Sequence, residues 1–370
     1  MKKITPHQQL NLMFKTVSED CNLACDYCYY STCRGNPGKK INTINLDILE
    51  KIIMEYMIQT KGVATFIWQG GEPLLAGLNF FEKVIELQLK YAPPYTMISN
   101  SIQTNGTLIT EKWAKFFKKY SFLVGVSIDG PKEIHDKRRV NSIGRGSRAE
   151  VMRGIQWIRQ ENVDFNIITV IHQDNVNCVD ELFAFYKKEL IQFVQFIPCM
   201  DFQAKNTNQQ RKFLITPDQY GKFLCQAFDK WNDDNFNINI HHFNNFLSMC
   251  EGNKSQICFF AKKCSATLVI ESNGDVFPCD FYISDDYKLG NIETDTLKSM
   301  LYNERYKSFS EMKSSVSNIC SKCEFFTHCH GGCPRNRIWN TINSSEPDYF
   351  CQSYKAFYAH AEKSVKKFCT

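Results

Sequence analysis

Strand-like runs of seven to nine residues recur through the first two hundred positions: LNLMFKTV (10–17), VATFIWQ (63–69), TMISNSIQT (96–104), FLVGVSID (122–129), VDFNIITVI (163–171) and IQFVQFI (191–197). Segments with helical spacing of apolar residues separate them: LDILEKIIMEYMIQ, FFEKVIELQLKY, EKWAKFFKKY, AEVMRGIQWIRQ and DELFAFYKKEL. This alternation implies an α/β fold of parallel strands joined by right-handed crossovers. Six such units either close part-way into a barrel or lie open as a sheet, and periodicity does not choose. In a barrel, functional groups collect at the C-terminal ends of the strands. The residues of unusual chemistry fall there. Cys21 follows the first run, Gln69-Gly70-Gly71-Glu72-Pro73 the second, QTNG (103–106) the third and Asp129-Gly130-Pro131 the fourth.

After about residue 205 the pattern changes. A polar stretch, DFQAKNTNQQRK, leads to a predicted helix over 217–231. From about 255 the chain is rich in cysteine and short of long helices. SATLVIESNGDVFPCD reads as a β-hairpin turning at Asn273-Gly274, and a last helix is predicted over 351–368. The segment lacks the apolar content for a large core of its own, a deficit that metal centres can fill. The expected division is therefore 1–235 and 236–370.

The chain holds seventeen cysteines. Four lie between Cys21 and Cys33, none between Cys33 and Cys178, and nine from Cys250 to Cys351. No signal peptide precedes them and no run is apolar enough to cross a bilayer, so a cytoplasmic location is expected. There, clustered cysteines point to metal or catalysis rather than disulfides. The net charge of +5 is dispersed rather than gathered into a basic stripe, so neither nucleic acid nor membrane is an expected partner.

The first cluster has spacing C-x3-C-x2-C: Cys21, Cys25 and Cys28. Three thiolates hold three irons of a cubane and leave the fourth open to a small chelating ligand, as catalytic zinc sites leave one position open. A zinc ion completed by a distant histidine such as His7 is the alternative. CNLACDYC resembles the signature of the radical S-adenosylmethionine (SAM) family, and paired with Gly70-Gly71-Glu72-Pro73 the resemblance is specific. It implies a partial (β/α)6 barrel with SAM as the missing ligand. It further implies Tyr27 near the adenine, Gly70, Gly71 and Glu72 at the SAM amino group, Ser127 and Arg139 at its carboxylate, and Asn105 at ribose or substrate.

The later cysteines make two complete four-thiolate sets, and spacing alone does not sort them. Two structural zincs are the plain alternative. The region resembles the SPASM extension of radical SAM peptide-modifying enzymes, which carries two auxiliary 4Fe–4S clusters, giving three clusters in all. That resemblance assigns Cys258, Cys264, Cys279 and Cys333 to one, and Cys320, Cys323, Cys329 and Cys351 to the other. Cys33, Cys178, Cys199, Cys225, Cys250 and Cys369 remain as plain thiols.

WQGGEPLLAGLNFF, SIQTNGTLI, FLVGVSIDGPKEIHD, VFPCDFY and YFCQSYK carry the likeness further, to the anaerobic sulfatase-maturating enzymes. These oxidise a cysteine or serine in a Cys/Ser-x-Pro/Ala-x-Arg motif to Cα-formylglycine, starting with Cβ hydrogen abstraction by a 5′-deoxyadenosyl radical. The likeness implies Asp280, beside Cys279, as the base, and Tyr30 and Gln69 at the peptide. It also implies an unfolded sulfatase chain as substrate and an external electron donor such as flavodoxin or ferredoxin. Asp280 as a plain hairpin cap is the competing reading. Two departures stand out: Tyr29-Tyr30 where Phe-Tyr is common, and Arg148 where many relatives carry an aromatic residue. A related SPASM maturase of a ribosomal peptide is the second enzyme reading. Only twenty residues precede Cys21, which leaves no room for a leader-binding domain. An electron carrier is the third, and it explains neither the α/β body nor the open triad.

Overall fold

The computed structural model describes residues 10–200, 212–235, 237–337 and 346–365; His7, the polar stretch up to residue 211, Cys369 and the end of the predicted last helix lie outside them. Ten strands follow in chain order: β1 (Asn11–Lys15), β2 (Val63–Gln69), β3 (Met97–Thr104), β4 (Leu123–Ser127), β5 (Phe165–Ile171), β6 (Phe193–Pro198), β7 (Asn239–Ile240), β8 (Thr267–Ile270), β9 (Asp275–Phe277) and β10 (Gly290–Asn291). All six predicted strands are present. Among the described residues no helix is long and apolar enough to cross a membrane.

The chain forms two compact units. The first takes the residues up to Val126, Arg139–Phe165 and Ser265–Phe309; the second takes Ser127–Arg138, Asn166–Cys264 and the chain from Ser310. Each draws chain from both sides of residue 235.

In the first unit the strands run in the order β10-β9-β8-β1-β2-β3-β4, with β1 to β4 parallel. Strand β2, VATFIWQ, alternates strictly, and Ala64, Phe66 and Trp68 are fully buried. Phe14 stacks on Trp68 at 4.5 Å between ring centres. The helices Leu46–Gln59, Leu78–Tyr91 and Glu111–Lys119 cover them with Leu49, Ile52, Phe81, Val84 and Phe117. Each such side chain stabilises the fold by about 1.5–3 kcal/mol.

The predicted hairpin is here too, as β8 and β9, turning at Gly274 with φ 84°. Its strand β8 pairs in parallel with β1, Leu12 opposite Leu268. All four β8 residues are buried, as strands flanked in a parallel sheet are. The hairpin thus meets its shortage of apolar partners by joining the sheet that β1 begins.

The second unit holds β5-β6-β7, also parallel, with Ile167 opposite Val194 and Val194 opposite Ile240. The helix Pro217–Asp233 starts with a Thr216–Gln219 capping box and proline in its first turn. The helix Cys351–Val365 packs on it closely enough that a Cβ at Gly221 would stand 3.1 Å from Ser353 Cα. The helix His241–Cys250, HHFNNFLSMC, escaped the sequence reading: its two histidines and two asparagines mask the apolar period that Phe243 and Phe246 carry inward.

Candidate active site and cluster-binding cysteines

The loop leaving β1 is held by backbone hydrogen bonds on both flanks. Gly71 N donates to Ser18 O (2.7 Å), Glu72 N to Asp20 O (2.8 Å) and Ala24 N to Val140 O (2.6 Å). A Cβ on Gly71 would lie 2.0 Å from Asp20 O, so the second glycine of GGEP permits the end of β2 to lie against the cysteine loop. Two amides face sulfurs of the triad: Leu23 N donates to Cys21 Sγ (3.4 Å) and Ser31 N to Cys28 Sγ (3.2 Å). Burial, then the nearby Glu72, pushes the Cys21 thiol well up. Such a sulfur becomes a thiolate when a metal takes up its charge. Cys33 sits behind the triad, its Sγ donating to Cys21 O and accepting from Cys21 N, both at 3.2 Å.

Glu72 is fully buried. Its Oε1 accepts from Thr104 Oγ1 (2.7 Å) and Leu74 N (3.1 Å), and its Oε2 from Asn105 N (2.7 Å). The carboxylate therefore ties the end of β2 to the end of β3. Burial pushes it up to about 7 against the pull of those three donors. Asn105 Nδ2 donates to Asn22 Oδ1 (2.8 Å), and Asn22 Nδ2 to Thr107 Oγ1 (2.9 Å), so QTNG and CNLAC are stitched together. The Arg139 guanidinium lies 5.4 Å from the centre of the Tyr27 ring. Ser127, at the end of β4, belongs to the second unit.

The chain after β9 brings Asp280 against the end of β2. Asp280 Oδ2 accepts from Tyr29 OH (3.1 Å) and Gln69 Nε2 (3.3 Å). Lys15, 1 % exposed at the end of β1, is depressed by burial and supported by the charges of Asp280, Glu271, Cys279 and Cys28. Its Nζ stands 4.3 Å from the Tyr30 ring centre. Tyr30 OH donates to Glu271 Oε1 and Oε2 (2.7 and 2.9 Å), and Ser18 Oγ donates to the same carboxylate (2.7 Å).

The structure thus gathers Asp280, Gln69 and Tyr30, named from the sequence, with three residues that reading missed: Lys15, Tyr29 and Glu271. Lys15 and Glu271 left one signal, a charged residue closing a buried strand run (LNLMFK and TLVIE) at the end where barrels place their chemistry. The arrangement fixes the orientation of the Asp280 carboxylate between a phenol and an amide donor.

In the second unit Cys320, Cys323, Cys329 and Cys351 line one small cavity, with Phe325, Tyr354 and Tyr358 in its wall. Burial pushes Cys351 up to about 11. Lys313 Nζ donates to the carbonyls of Phe259 and Gly332, the chain neighbours of Cys258 and Cys333, while Cys279 belongs to the first unit. Among the described residues no three His, Cys, Asp or Glu groups converge to hold a single metal ion. In a cubane each thiolate binds its own iron, so the four sulfurs that line this cavity fit that group. Buried Asp348 holds the scaffold: its Oδ2 accepts from Cys333 N (2.9 Å) and Asn336 Nδ2 (3.0 Å), its Oδ1 from Phe350 N (2.8 Å), and its carbonyl from Cys351 N (2.8 Å).

Residues 16–186 match the model of the radical SAM superfamily, and residues 258–324 that of the SPASM iron–sulfur cluster-binding domain. The chain is 36% identical to a cysteine-type anaerobic sulfatase-maturating enzyme of Clostridium novyi, over 97% of this chain and 96% of that one. It is 37% identical to a serine-type enzyme of Bacteroides thetaiotaomicron, over 95% and 89%. The solved structure of native anSMEcpe with bound AdoMet and Cp18Cys peptide superposes with a TM-score of 0.91 at 36% identity, covering 97% of this chain and 98% of that one. The parallel α/β strands, the GGEP strand end and the two cysteine fields have one explanation: the chain belongs to the anaerobic sulfatase-maturating enzymes of the radical SAM superfamily, with a SPASM domain.

Proposed function

We propose that this protein oxidises a cysteine or serine in a Cys/Ser-x-Pro/Ala-x-Arg motif of an unfolded sulfatase chain to Cα-formylglycine. The observation that carries the reading is the Asp280 carboxylate, next in sequence to Cys279 and hydrogen-bonded by Gln69 and Tyr29. Cys21, Cys25 and Cys28 hold the first 4Fe–4S cluster. Cys258, Cys264, Cys279 and Cys333 hold a second, and Cys320, Cys323, Cys329 and Cys351 a third. Gly70, Gly71, Glu72, Asn105, Ser127, Arg139 and Tyr27 bind SAM. The two family models lie on either side of residue 235, which supports a barrel domain over 1–235 and a SPASM domain over 236–370.

When bound, SAM and the clusters supply a 5′-deoxyadenosyl radical that takes one Cβ hydrogen atom and an acceptor for the electron left behind. The residues supply the rest. Tyr30 and Gln69 orient the target peptide over the end of β2. Asp280 accepts the thiol or hydroxyl proton as the carbon–sulfur or carbon–oxygen bond becomes double. A serine target then reaches the aldehyde directly. A cysteine target reaches a thioaldehyde, which water converts to the aldehyde with release of hydrogen sulfide. The protein works in the cytoplasm, where its thiols stay reduced, and receives its electrons from a donor such as flavodoxin or ferredoxin.

An anaerobic assay of the reconstituted enzyme with SAM, reductant and Cys-x-Pro-x-Arg and Ser-x-Pro-x-Arg peptides tests this. Formylglycine forming in step with 5′-deoxyadenosine is expected. 5′-Deoxyadenosine with both peptides unchanged overturns the sulfatase reading. In Asp280→Asn, SAM cleavage persists while aldehyde falls by ~10²-fold or more; full aldehyde yield removes Asp280 from the mechanism.

A further inference from the structure

Two cations are buried in the second unit, Lys313 at 1 % and Arg337 at 0 % exposure. Lys313 Nζ donates to Phe259 O (2.9 Å) and Gly332 O (2.8 Å). Phe259 follows Cys258 and Gly332 precedes Cys333, so one ammonium grips the main chain beside two cysteines of one proposed cluster. Arg337 donates to Gly331 O (2.8 Å), Ser315 O (2.6 Å), Lys313 O (3.2 Å) and His330 O (3.3 Å). Among the described residues the hydrogen bonds of both cations go to main-chain carbonyls.

The buried carboxylate that acts on Lys313 is Asp348, already engaged by Cys333 N, Asn336 and Phe350 N. Burial pushes Lys313 down, so keeping its charge at this position calls for an anion beside it. Cys333, Cys264 and Cys258, as thiolates, oppose that burial, while Arg337 adds to it. A cubane with thiolate ligands is an anion, and gains a further negative charge on reduction. A fixed cation beside it therefore favours the reduced form.

We infer that Lys313, backed by Arg337, is a positioning residue for the iron–sulfur cluster at Cys258, Cys264 and Cys333, holding its ligand loops and favouring its one-electron-reduced state. The inference rests on the proposed function in one respect. Each turnover removes one electron from the substrate radical as its proton goes to Asp280, and this cluster is where that electron is received.

The test is a reductive titration of the holoenzyme followed by electron paramagnetic resonance, without peptide. In Lys313→Met, one reduction wave moves to more negative potential, its equilibrium shifting at least ~10-fold, equivalent to about 59 mV for one electron. The other waves stay in place, and Lys313→Arg restores the parent value. Parent potentials in Lys313→Met overturn the inference. If Lys313→Met does not load its full iron, Lys313→Gln decides, since it keeps hydrogen-bond donors and drops the charge. A loaded Gln variant with a shifted wave supports the inference, and one with parent potentials overturns it. Iron lost in Gln but kept in Arg shows a need for the charge; iron lost in both makes Lys313 a structural staple and overturns it. Because no peptide is used, formylglycine production with unmoved waves keeps the proposed function and discards this inference alone. Absence of bound iron in the parent defeats the cluster reading itself.

Discussion

The two cysteine fields differ in count and in company. Cys21, Cys25 and Cys28 lie on a loop stitched by Asn22, Asn105 and Thr107, with Arg139 facing Tyr27 alongside. Cys320, Cys323, Cys329 and Cys351 line a cavity walled by Phe325, Tyr354 and Tyr358, with His242 packed against Tyr354 and Phe357 in the same unit. Three sulfurs with polar neighbours leave a coordination position for a polar ligand. Four sulfurs with aromatic neighbours leave none. Under the proposed function the difference is that between a site that presents a cluster to chemistry and one whose cluster fills the interior.

Removing one ligand from each field should break the comparison most sharply. Cys25→Ala abolishes 5′-deoxyadenosine formation, while Cys323→Ala loses one cluster's iron and keeps measurable SAM cleavage. Equal loss of SAM cleavage in both, at equal protein recovery, would erase the distinction. Asp348→Ala comes next, because it strands Cys333 N, Phe350 N and Asn336 and leaves Lys313 and Arg337 unanswered. It should cost about 3 kcal/mol in anaerobic denaturant melts, and a cost within error of zero would show that the field holds itself together without it.

A pH-dependent effect, small near neutrality, separates the fields. Burial, and secondarily His241, pushes His242 down to about 3 from its ordinary 6.5. The fold therefore holds it neutral while the unfolded chain takes a proton below 6.5. Stability from this residue is complete above pH 6.5 and falls as pH drops toward 3, by up to ~1.4 kcal/mol per pH unit. His242→Leu should flatten that part of the stability–pH curve, and an unchanged slope would mean the residue titrates normally. The smallest effect belongs to Tyr29→Phe, which removes one hydrogen bond to Asp280. Aldehyde formation should fall ~2- to 10-fold with SAM cleavage intact; a parallel fall in both would place Tyr29 with the first cluster instead of the base.

Much of this was legible without coordinates, for reasons local to the chain. The strand runs are short, apolar and evenly spaced, so their alternation with helices reads directly. Glycines at 70 and 71 mark a close approach whether or not the approaching Asp20 carbonyl is known. Asn273-Gly274 names its own turn. Lys15, Tyr29 and Glu271 were not legible, because what makes them notable is their meeting. Lys15 reaches Tyr30 across the loop, Tyr29 reaches Asp280 across 251 residues, and Tyr30 reaches Glu271 across 241. Glu72 was legible as a motif residue, but its role in tying β2 to β3 came from its three donors.

Sequence by itself determined the α/β class and the family, and it marked the early cysteine triad and the later cysteine field. Each is written in spacing along the chain, and spacing survives without a fold. Tertiary structure alone decided that the cysteine-rich segment lends β8 to the sheet of β1, that Asp280 faces Tyr29 and Gln69, and that Lys313 and Arg337 are buried with their hydrogen bonds, among the described residues, going to main-chain carbonyls. Those outcomes depend on which distant segments share an interior, where the cost of an unanswered charge or an unpaired strand edge selects the arrangement.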